Sequence, residues 1–233
     1  MYDIHMHVVP GVDDGSWDLQ MSRWMLDVAG LQGVERVLAT PHSSAFDGGD
    51  HENTKEQFEK LKEMAPIPVY LGCEVLCEQE RMATITERLE KGIYPTMNGT
   101  QYVLTEFFPW VKEEEALICA RWLLNKGWIP IIAHVERYRE LFDGDAVEKL
   151  KALGCCFQIN VYSIFDEVSE EIKLNAHKLM NYGWVDFLGS DAHRLNHRPP
   201  SVGKGLEYMR SHWAPEYLHQ ISTENAAVLL NMQ

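Results

Sequence analysis

The feature that most constrains the fold of this chain is the regular alternation of strand-like and helix-like segments along its whole length. Seven strand-like runs are predicted, at Tyr2–His7, Val34–Thr40, Pro68–Cys73, Tyr102–Phe107, Ile129–His134, Cys156–Asn160 and Val185–Gly189. Strands that alternate with helices predict a parallel sheet, and right-handed crossovers in series curl such a sheet into a barrel. A length of 233 residues fits one large domain better than two, so a single α/β domain over residues 1–233 is predicted.

The first helix-like segment shows the helical pattern best. Apolar side chains recur there at intervals of three, four and seven residues, at Trp17, Met21, Trp24, Met25 and Val28. This stripe predicts that the tryptophans and methionines of the first helix belong to the core. Later helices are predicted at Thr54–Met64, Glu78–Lys91, Glu113–Lys126, Asp145–Leu153, Glu167–Tyr182, Val202–Ser211 and Thr223–Leu230.

The negative net charge of the chain argues against some classes of binding partner. A net charge of −14 opposes a general affinity for nucleic acid or an anionic membrane, because such binding depends on clustered Lys and Arg. No segment approaches the roughly 18 apolar residues that cross a membrane. The first predicted strand begins at residue 2, which leaves no room for a signal peptide. A cytoplasmic protein without nucleic acid and without membrane insertion is therefore expected.

The cysteines are odd in number and stand mostly in apolar surroundings, at Cys73, Cys77, Cys119, Cys155 and Cys156. This pattern favours reduced, buried thiols in a cytosolic protein over a disulfide framework. The spacing of Cys73 and Cys77 has no second pair that would complete a zinc site, so it is interpreted as packing.

The start of the chain indicates a metal site. In a strand over Tyr2–His7, His5 and His7 point to one side, whereas Ile4 and Met6 point to the other. Two imidazoles at one strand end can hold one metal ion. The segment Gly11–Gly15 follows in the next loop, where an aspartate can turn back toward the same ion.

Ligand-type side chains recur at the ends of later strands. In a parallel barrel the chemistry lies at the carboxyl ends of the strands. Six of the seven predicted strands, with the first loop, deliver such residues to that rim: His5, His7, Asp14, His42, Glu74, Glu106, His134, Asp191 and His193. A lone histidine at a strand end is more often a hydrogen-bonded structural residue, but this coincidence on one rim favours a metal centre. Nine ligands exceed the needs of one ion, so two or three divalent ions are expected, and the donor set suits manganese, iron or zinc.

These residues resemble the polymerase and histidinol phosphatase (PHP) superfamily. The resemblance is closest to its branch of bacterial manganese-dependent protein-tyrosine phosphatases, which act with capsular and exopolysaccharide tyrosine kinases. It covers nearly the whole chain. It rests on the segments Asp3–His7, Gly11–Gly15, Ala39–His42, Leu104–Phe107, Ala133–Tyr138, Ser190–His193, Arg198–Pro200 and Thr223–Ala226.

The resemblance implies a fold and a set of site residues. The fold is a distorted TIM-like barrel of seven βα units, the (β/α)7 PHP fold, which agrees with the seven predicted strands. One metal ion would be held by His5, His7, Glu74 and Asp191, a second by Glu74 as a bridge with Glu106 and His134, and a third by Asp14, His42 and His193. Arg137 and Arg198 occupy the positions of phosphate-binding arginines, which suit a bidentate grip on phosphoryl oxygens. Asp13 is the loop candidate for a proton donor or for a group that orients a ligand, and a turn-forming aspartate is an equal alternative.

The predicted reaction is hydrolysis of a phosphate ester by water activated at the metals, without a covalent enzyme intermediate. None of the cysteines begins a Cys-x5-Arg loop, which excludes a cysteine nucleophile. The predicted substrate is a phosphotyrosine in a flexible protein segment, above all the tail of a bacterial tyrosine kinase that regulates exopolysaccharide synthesis. A phosphoesterase for a small metabolite such as histidinol phosphate is the alternative, and a binding module with structural metals is disfavoured. A homo-oligomer is possible, and the sequence does not decide the oligomeric state.

Two further features concern the substrate mouth. The rim carries rings that a tyrosine can stack on, although about half of them are expected to be core: Phe107, Phe108, Trp110, Tyr138, Tyr162 and Phe165. Two segments depart from the family pattern and are expected to alter substrate choice. They are the bulky run Asn160–Asp166 and the acidic loop after His42, with Asp47, Asp50 and Glu52.

Overall fold

The computed structural model describes residues 1–165 and 168–232, in which parallel strands alternate with helices as predicted. Its eight strands are β1 (Tyr2–Met6), β2 (Arg36–Ala39), β3 (Val69–Leu71), β4 (Glu74–Leu76), β5 (Tyr102–Glu106), β6 (Ile129–Ile132), β7 (Cys156–Asn160) and β8 (Phe187–Gly189). They form a three-stranded sheet in the order β1-β2-β3 and a five-stranded sheet in the order β4-β5-β6-β7-β8. The parallel α/β fold is therefore confirmed, whereas a barrel of seven strands is not.

The difference in strand count arises where the predicted third strand ends. Its residues Val69–Leu71 pair with β2, but the chain then changes partner, and Glu74–Leu76 pair with β5. Backbone hydrogen bonds from Gly72 to Ala39 (2.8 Å) and from Glu74 to Pro41 (3.0 Å) hold the crossing. Glu74, which was predicted to follow a strand, is therefore the first residue of one.

The two sheets also meet at β1 and β8, the first and last strands of the chain. The backbone N–H of Asp191 donates to His5 (2.8 Å), and that of His7 donates to Ala192 (2.8 Å). The side chain of Asp3 accepts the N–H of Ser190 at 2.9 Å. These contacts bring His5 and His7 beside Asp191, which follows β8.

Strand β1 contains an irregularity that places its side chains. Asp3 pairs with Val37 but Met6 pairs with Ala39, so β1 has one residue more than β2 over this stretch, as in a β-bulge. Ile4 packs with Leu38 in a small core cluster, while Met6 belongs to the larger cluster. The prediction that Ile4 and Met6 share one face is therefore wrong, because the extra residue breaks the alternation.

The helices lie close to their predicted positions. They are α1 (Leu19–Leu31), α2 (His51–Met64), α3 (Met82–Glu90), α4 (Glu113–Asn125), α5 (Arg139–Phe142), α6 (Ala146–Ala152), α7 (Glu170–Asn181), α8 (Gly203–His212), α9 (Pro215–His219) and α10 (Asn225–Leu229). A π-helical turn, Gln220–Glu224, joins the last two, and a 3-10 turn, Gln79–Arg81, precedes α3. Glu167, the predicted first residue of the helix that corresponds to α7, lies outside the described residues. Within the described ranges every helix is too short or too polar to cross a lipid bilayer.

The apolar stripe of α1 is only partly buried. Met21 and Met25 lie in the core, but the side chains of Trp17 and Trp24 are 51% and 50% exposed, so the prediction for both tryptophans is wrong. Trp17 precedes the helix, because Asp18 caps it by accepting the N–H of Met21 at 2.8 Å. The predicted apolar stripe therefore started at Trp17, before the first residue of the helix, Leu19.

The cysteines are free, as predicted, and four of the five are buried. Burial raises the pKa of Cys119, Cys155 and Cys156 to about 12. The pKa values of Cys73 and Cys77 also lie well above the ordinary range for the same reason. Protonated thiols of this kind are inert packing groups.

Candidate metal centre

The structure brings all nine predicted ligand residues together at the carboxyl ends of the strands. The first group lies between β1 and β4. Nε2 of His5 and Nε2 of His7 are 3.2 Å apart, and each lies 3.2 Å from an oxygen of Glu74. Asp191 Oδ1 approaches the same nitrogens at 3.7 and 3.6 Å. Donor atoms of His5, His7 and Glu74 therefore lie within 4.8 Å of one another, and Asp191 lies beside the two imidazoles.

The second group also uses Glu74. Nε2 of His134 lies 3.0 Å from one oxygen of Glu74 and 3.8 Å from Glu106. Nδ1 of His42 lies 3.1 Å from the other oxygen of Glu74 and 3.4 Å from Glu106. Glu74 thus stands in two groups at once, the position expected of a bridging carboxylate.

The third group is the most open to solvent. Asp14 Oδ1 lies 3.4 Å from Nε2 of His42 and 3.4 Å from Nε2 of His193. His7 joins them, so that one donor atom from each of the four residues lies within 4.8 Å of the others. His42 therefore contributes one ring nitrogen to the second group and the other to the third.

The chemistry of these donor atoms suits bound metal ions better than hydrogen bonds among the side chains alone. Oε2 of Glu74 is buried and has no hydrogen-bond partner among the described residues. Burial opposes protonation of His7, but the carboxylates of Asp13 and Glu74 outweigh it and raise the pKa of His7 to about 10. Burial likewise opposes protonation of His42, and Glu106 with Glu74 raise its pKa to about 11. This concentration of buried negative charge calls for cations.

His193 differs from the other imidazoles of the site. Burial and the neighbouring His7 lower the pKa of His193 to about 3. Its Nδ1 donates to the backbone carbonyl of Asp191 at 3.0 Å, which leaves the Nε2 lone pair directed toward Asp14. A neutral imidazole with a fixed tautomer is the form that binds metal ions.

The carboxylate of Asp13 accepts hydrogen bonds from two of the proposed ligand residues and does not face solvent. Its carboxylate accepts from Nδ1 of His7 (2.8 Å), from the N–H of Gly15 (2.9 Å) and from the N–H of His42 (3.1 Å). Its side chain is only 2% exposed. Although burial opposes ionisation, the contact with His7 lowers the pKa of Asp13 to about 2. This geometry supports the orienting role and disfavours a proton donor.

Two amide side chains on β7, Gln158 and Asn160, complete the floor of the site and were not among the predicted site residues. Gln158 Oε1 accepts from Nδ1 of His5 at 3.1 Å and from the N–H of His134 at 2.9 Å. Its Nε2 donates to Asn160 at 2.9 Å, and Asn160 donates to Asp191 at 3.1 Å. The signal was present in the sequence, because Gln158 and Asn160 are spaced by two on the one strand without a ligand.

Both candidate arginines point into the site. Arg198 and Arg137 donate to the same oxygen of Asp191, at 2.9 and 3.3 Å. Both arginine side chains are partly exposed. Arg198, Asp191 and His134 also have positive φ angles of 55°, 50° and 33°. Such backbone strain in non-glycine residues is typical of functional sites.

The predicted aromatic rim divides into buried and exposed rings. Phe107 and Tyr138 are core residues, and the hydroxyl of Tyr138 accepts the N–H of Phe107 at 2.9 Å. Tyr162 is partly buried, and its hydroxyl accepts from Asn160 at 3.1 Å. Trp110 and Phe165 are exposed, and Phe108 is half-buried.

The two departing segments are ordered by their own contacts. In the acidic loop, Asp47 accepts from Arg88 (2.5 Å) and from the hydroxyl of Tyr94 (2.7 Å), so its charge is largely neutralised within the protein. In the bulky segment, Val161–Ile164 forms a 3-10 turn. Asp166, at its end, lies outside the described residues.

Comparison with known proteins adds a second line of evidence. The family described as "Capsular polysaccharide synthesis, CpsB/CapC" matches residues 1–231. The tyrosine-protein phosphatase YwqE of Bacillus subtilis is 31% identical over 100% of this chain and 92% of its own. The tyrosine-protein phosphatase CpsB of Streptococcus pneumoniae is 28% identical over 97% and 96%.

A crystal structure is also similar over the full length. It comes from work on YwqE of Bacillus subtilis and CpsB of Streptococcus pneumoniae, described as unique metal-dependent tyrosine phosphatases. It superposes with a TM-score of 0.82 at 28% identity and covers 100% of this chain and 96% of its own. The similarity therefore includes every strand that carries a candidate ligand.

Proposed function

The chain belongs to the CpsB/CapC family of capsular polysaccharide synthesis, and from this premise we propose that it is a metal-dependent protein-tyrosine phosphatase. The resemblance to the PHP phosphatases is thereby confirmed. Phosphotyrosine in a protein is the substrate, and the reaction is hydrolysis of a phosphoric monoester. The tail of a bacterial tyrosine kinase that controls capsule or exopolysaccharide synthesis is the proposed physiological substrate.

The observation that carries the proposal is the position of two arginines beside three overlapping groups of metal ligands. We propose three divalent ions, with manganese expected and iron or zinc as alternatives. The first would bind His5, His7, Glu74 and Asp191; the second Glu74, Glu106 and His134; and the third Asp14, His42 and His193. When bound, such ions supply Lewis acidity and a water nucleophile at neutral pH.

The side chains of the protein do the remaining work. Arg137 and Arg198 each use one N–H group on Asp191, and a guanidinium has further N–H donors that can hold the equatorial oxygens of a phosphoryl group. Asp13 holds the ring of His7, and Gln158 holds the ring of His5. A phenolate leaving group, with a pKa near about 10, needs little protonation, which suits a rim whose best acid candidate is buried and ionised.

The test is steady-state turnover of matched substrates in one manganese buffer. A phosphotyrosine peptide, the corresponding phosphoserine peptide and histidinol phosphate are compared at equal concentration. We expect the phosphotyrosine peptide to be preferred by at least about tenfold, or roughly 1.4 kcal/mol in transition-state binding. A preference for histidinol phosphate would instead assign the site to metabolite hydrolysis.

A further inference from the structure

A short turn after the proposed ligand Glu106 carries a pair of stacked aromatic rings, of which Phe108 is half-buried and Trp110 is exposed. The N–H of Val111 donates to the carbonyl of Phe108 at 2.9 Å, and Pro109 occupies the second position of the four-residue turn. Proline at that position presets the backbone angle of a β-turn. The rings of Phe108 and Trp110 lie 5.0 Å apart and are parallel to within 2°. Trp110 is nevertheless 66% exposed.

Buried residues anchor the backbone of the turn at both ends. Phe107 and Val111 are each 2% exposed and belong to the main core cluster. Phe107 also packs against Tyr138, with ring centroids 5.7 Å apart. Rings that are already stacked and held by buried neighbours lose little conformational freedom when a further group binds.

We propose that the Phe108–Trp110 pair, called here the aromatic ledge, is a specificity site for a side chain that flanks the phosphotyrosine of the substrate. The inference rests on the proposed function and deepens it, because it names the sequence context that the enzyme prefers. The flanking side chain is itself aromatic, a tyrosine above all. Aromatic pairs in offset or edge-to-face contact add attraction beyond the area that they bury.

Position and charge both support this occupant. Phe108 follows the proposed ligand Glu106 by two residues, which places the ledge on the loop at the carboxyl end of β5, the same end of the strand as the metal centre. The nearest lysine in sequence, Lys112, is paired with Glu140 at 2.6 Å. The ledge itself carries no charged side chain, and the acidic residues Glu113–Glu115 begin the helix that follows it. This local negative charge disfavours acidic flanking residues and leaves ring stacking as the attraction.

The experiment measures selectivity rather than activity. Two phosphotyrosine peptides are compared, identical except that tyrosines flank the phosphotyrosine in one and serines in the other. The readout is the ratio of their kcat/KM values, which a general loss of activity does not change. We expect Trp110→Ala to lower this ratio by about two- to twelvefold, the range that corresponds to losing one aromatic pair. Trp110→Phe should retain most of it.

Trp24→Ala is the matched control, since Trp24 is 50% exposed on α1 and precedes no ligand. It should leave the ratio at the wild-type value. An unchanged ratio in Trp110→Ala would contradict the proposed role of the aromatic ledge, and so would an equal fall of the ratio in the control. Wild-type enzyme that hydrolyses neither peptide would overturn the proposed function itself, and the ledge with it.

Discussion

Gln158 offers the sharpest test of how the metal centre is held, because it binds no metal in the proposed scheme. Its amide joins two ligand-bearing strands through three hydrogen bonds: from Nδ1 of His5 (3.1 Å), from the N–H of His134 (2.9 Å) and to Asn160 (2.9 Å). All four residues are buried. Replacing Gln158 with methionine keeps a similar volume but removes every one of these bonds.

The expected cost follows from that list. Three hydrogen bonds at about 0.5–1.5 kcal/mol each sum to about 1.5–4.5 kcal/mol of folding free energy. Release of the His5 ring should also weaken metal binding by about 10- to 100-fold, the usual effect of losing a partner that orients a ligand. Gln158→Glu keeps the accepting oxygen but loses the donor to Asn160, so it should recover part of the affinity.

The assay has two readouts on metal-stripped protein: manganese titration for affinity, and urea unfolding for stability. Gln32→Met is the matched control. Gln32 donates to Pro200 at 2.8 Å and accepts from Gly203 at 2.8 Å, and it contacts no ligand. The control should lose stability with little change in affinity. Wild-type manganese affinity in Gln158→Met would refute the orienting role.

Three other predictions follow from the same site. Glu74→Gln should lower the occupancy of two of three ions, as measured by elemental analysis, because Glu74 stands in two ligand groups; a single lost ion would refute the bridge. Arg137→Ala and Arg198→Ala should each lower kcat/KM by about 10- to 1000-fold with metal content nearly intact, and lysine should rescue only partly because it lacks the planar fork. Unchanged kinetics would remove that arginine from the mechanism. Iodoacetamide should leave activity intact at pH 8, because burial raises the pKa of the thiols, to about 12 in three of them, so that they stay protonated until the pH approaches those values. Rapid inactivation at pH 8 would contradict that burial.

Much of the candidate site could be predicted because the positions of its residues depend on short sequence patterns. Each ligand type occurs at or just after the end of a strand-like run, and parallel strands all end at the same rim. A reader of the sequence therefore needs only the strand ends to place His5, His42, Glu106 and His134 together. The alternation of strands and helices gave the fold class in the same way, since it depends on neighbouring residues alone.

Other features depended on contacts between distant parts of the chain. The change of partner between β3 and β4 requires β2 and β5 as neighbours, which no periodicity within residues 68–76 reveals. Trp24 fits the apolar stripe of α1 but is half exposed, because exposure depends on what packs against a helix. The role of Gln158 depends on hydrogen bonds with His5 and His134, which lie 153 and 24 positions away in the sequence. An amide side chain has no fixed preference for metal sites, so its function exists only once the fold supplies its donors and acceptors.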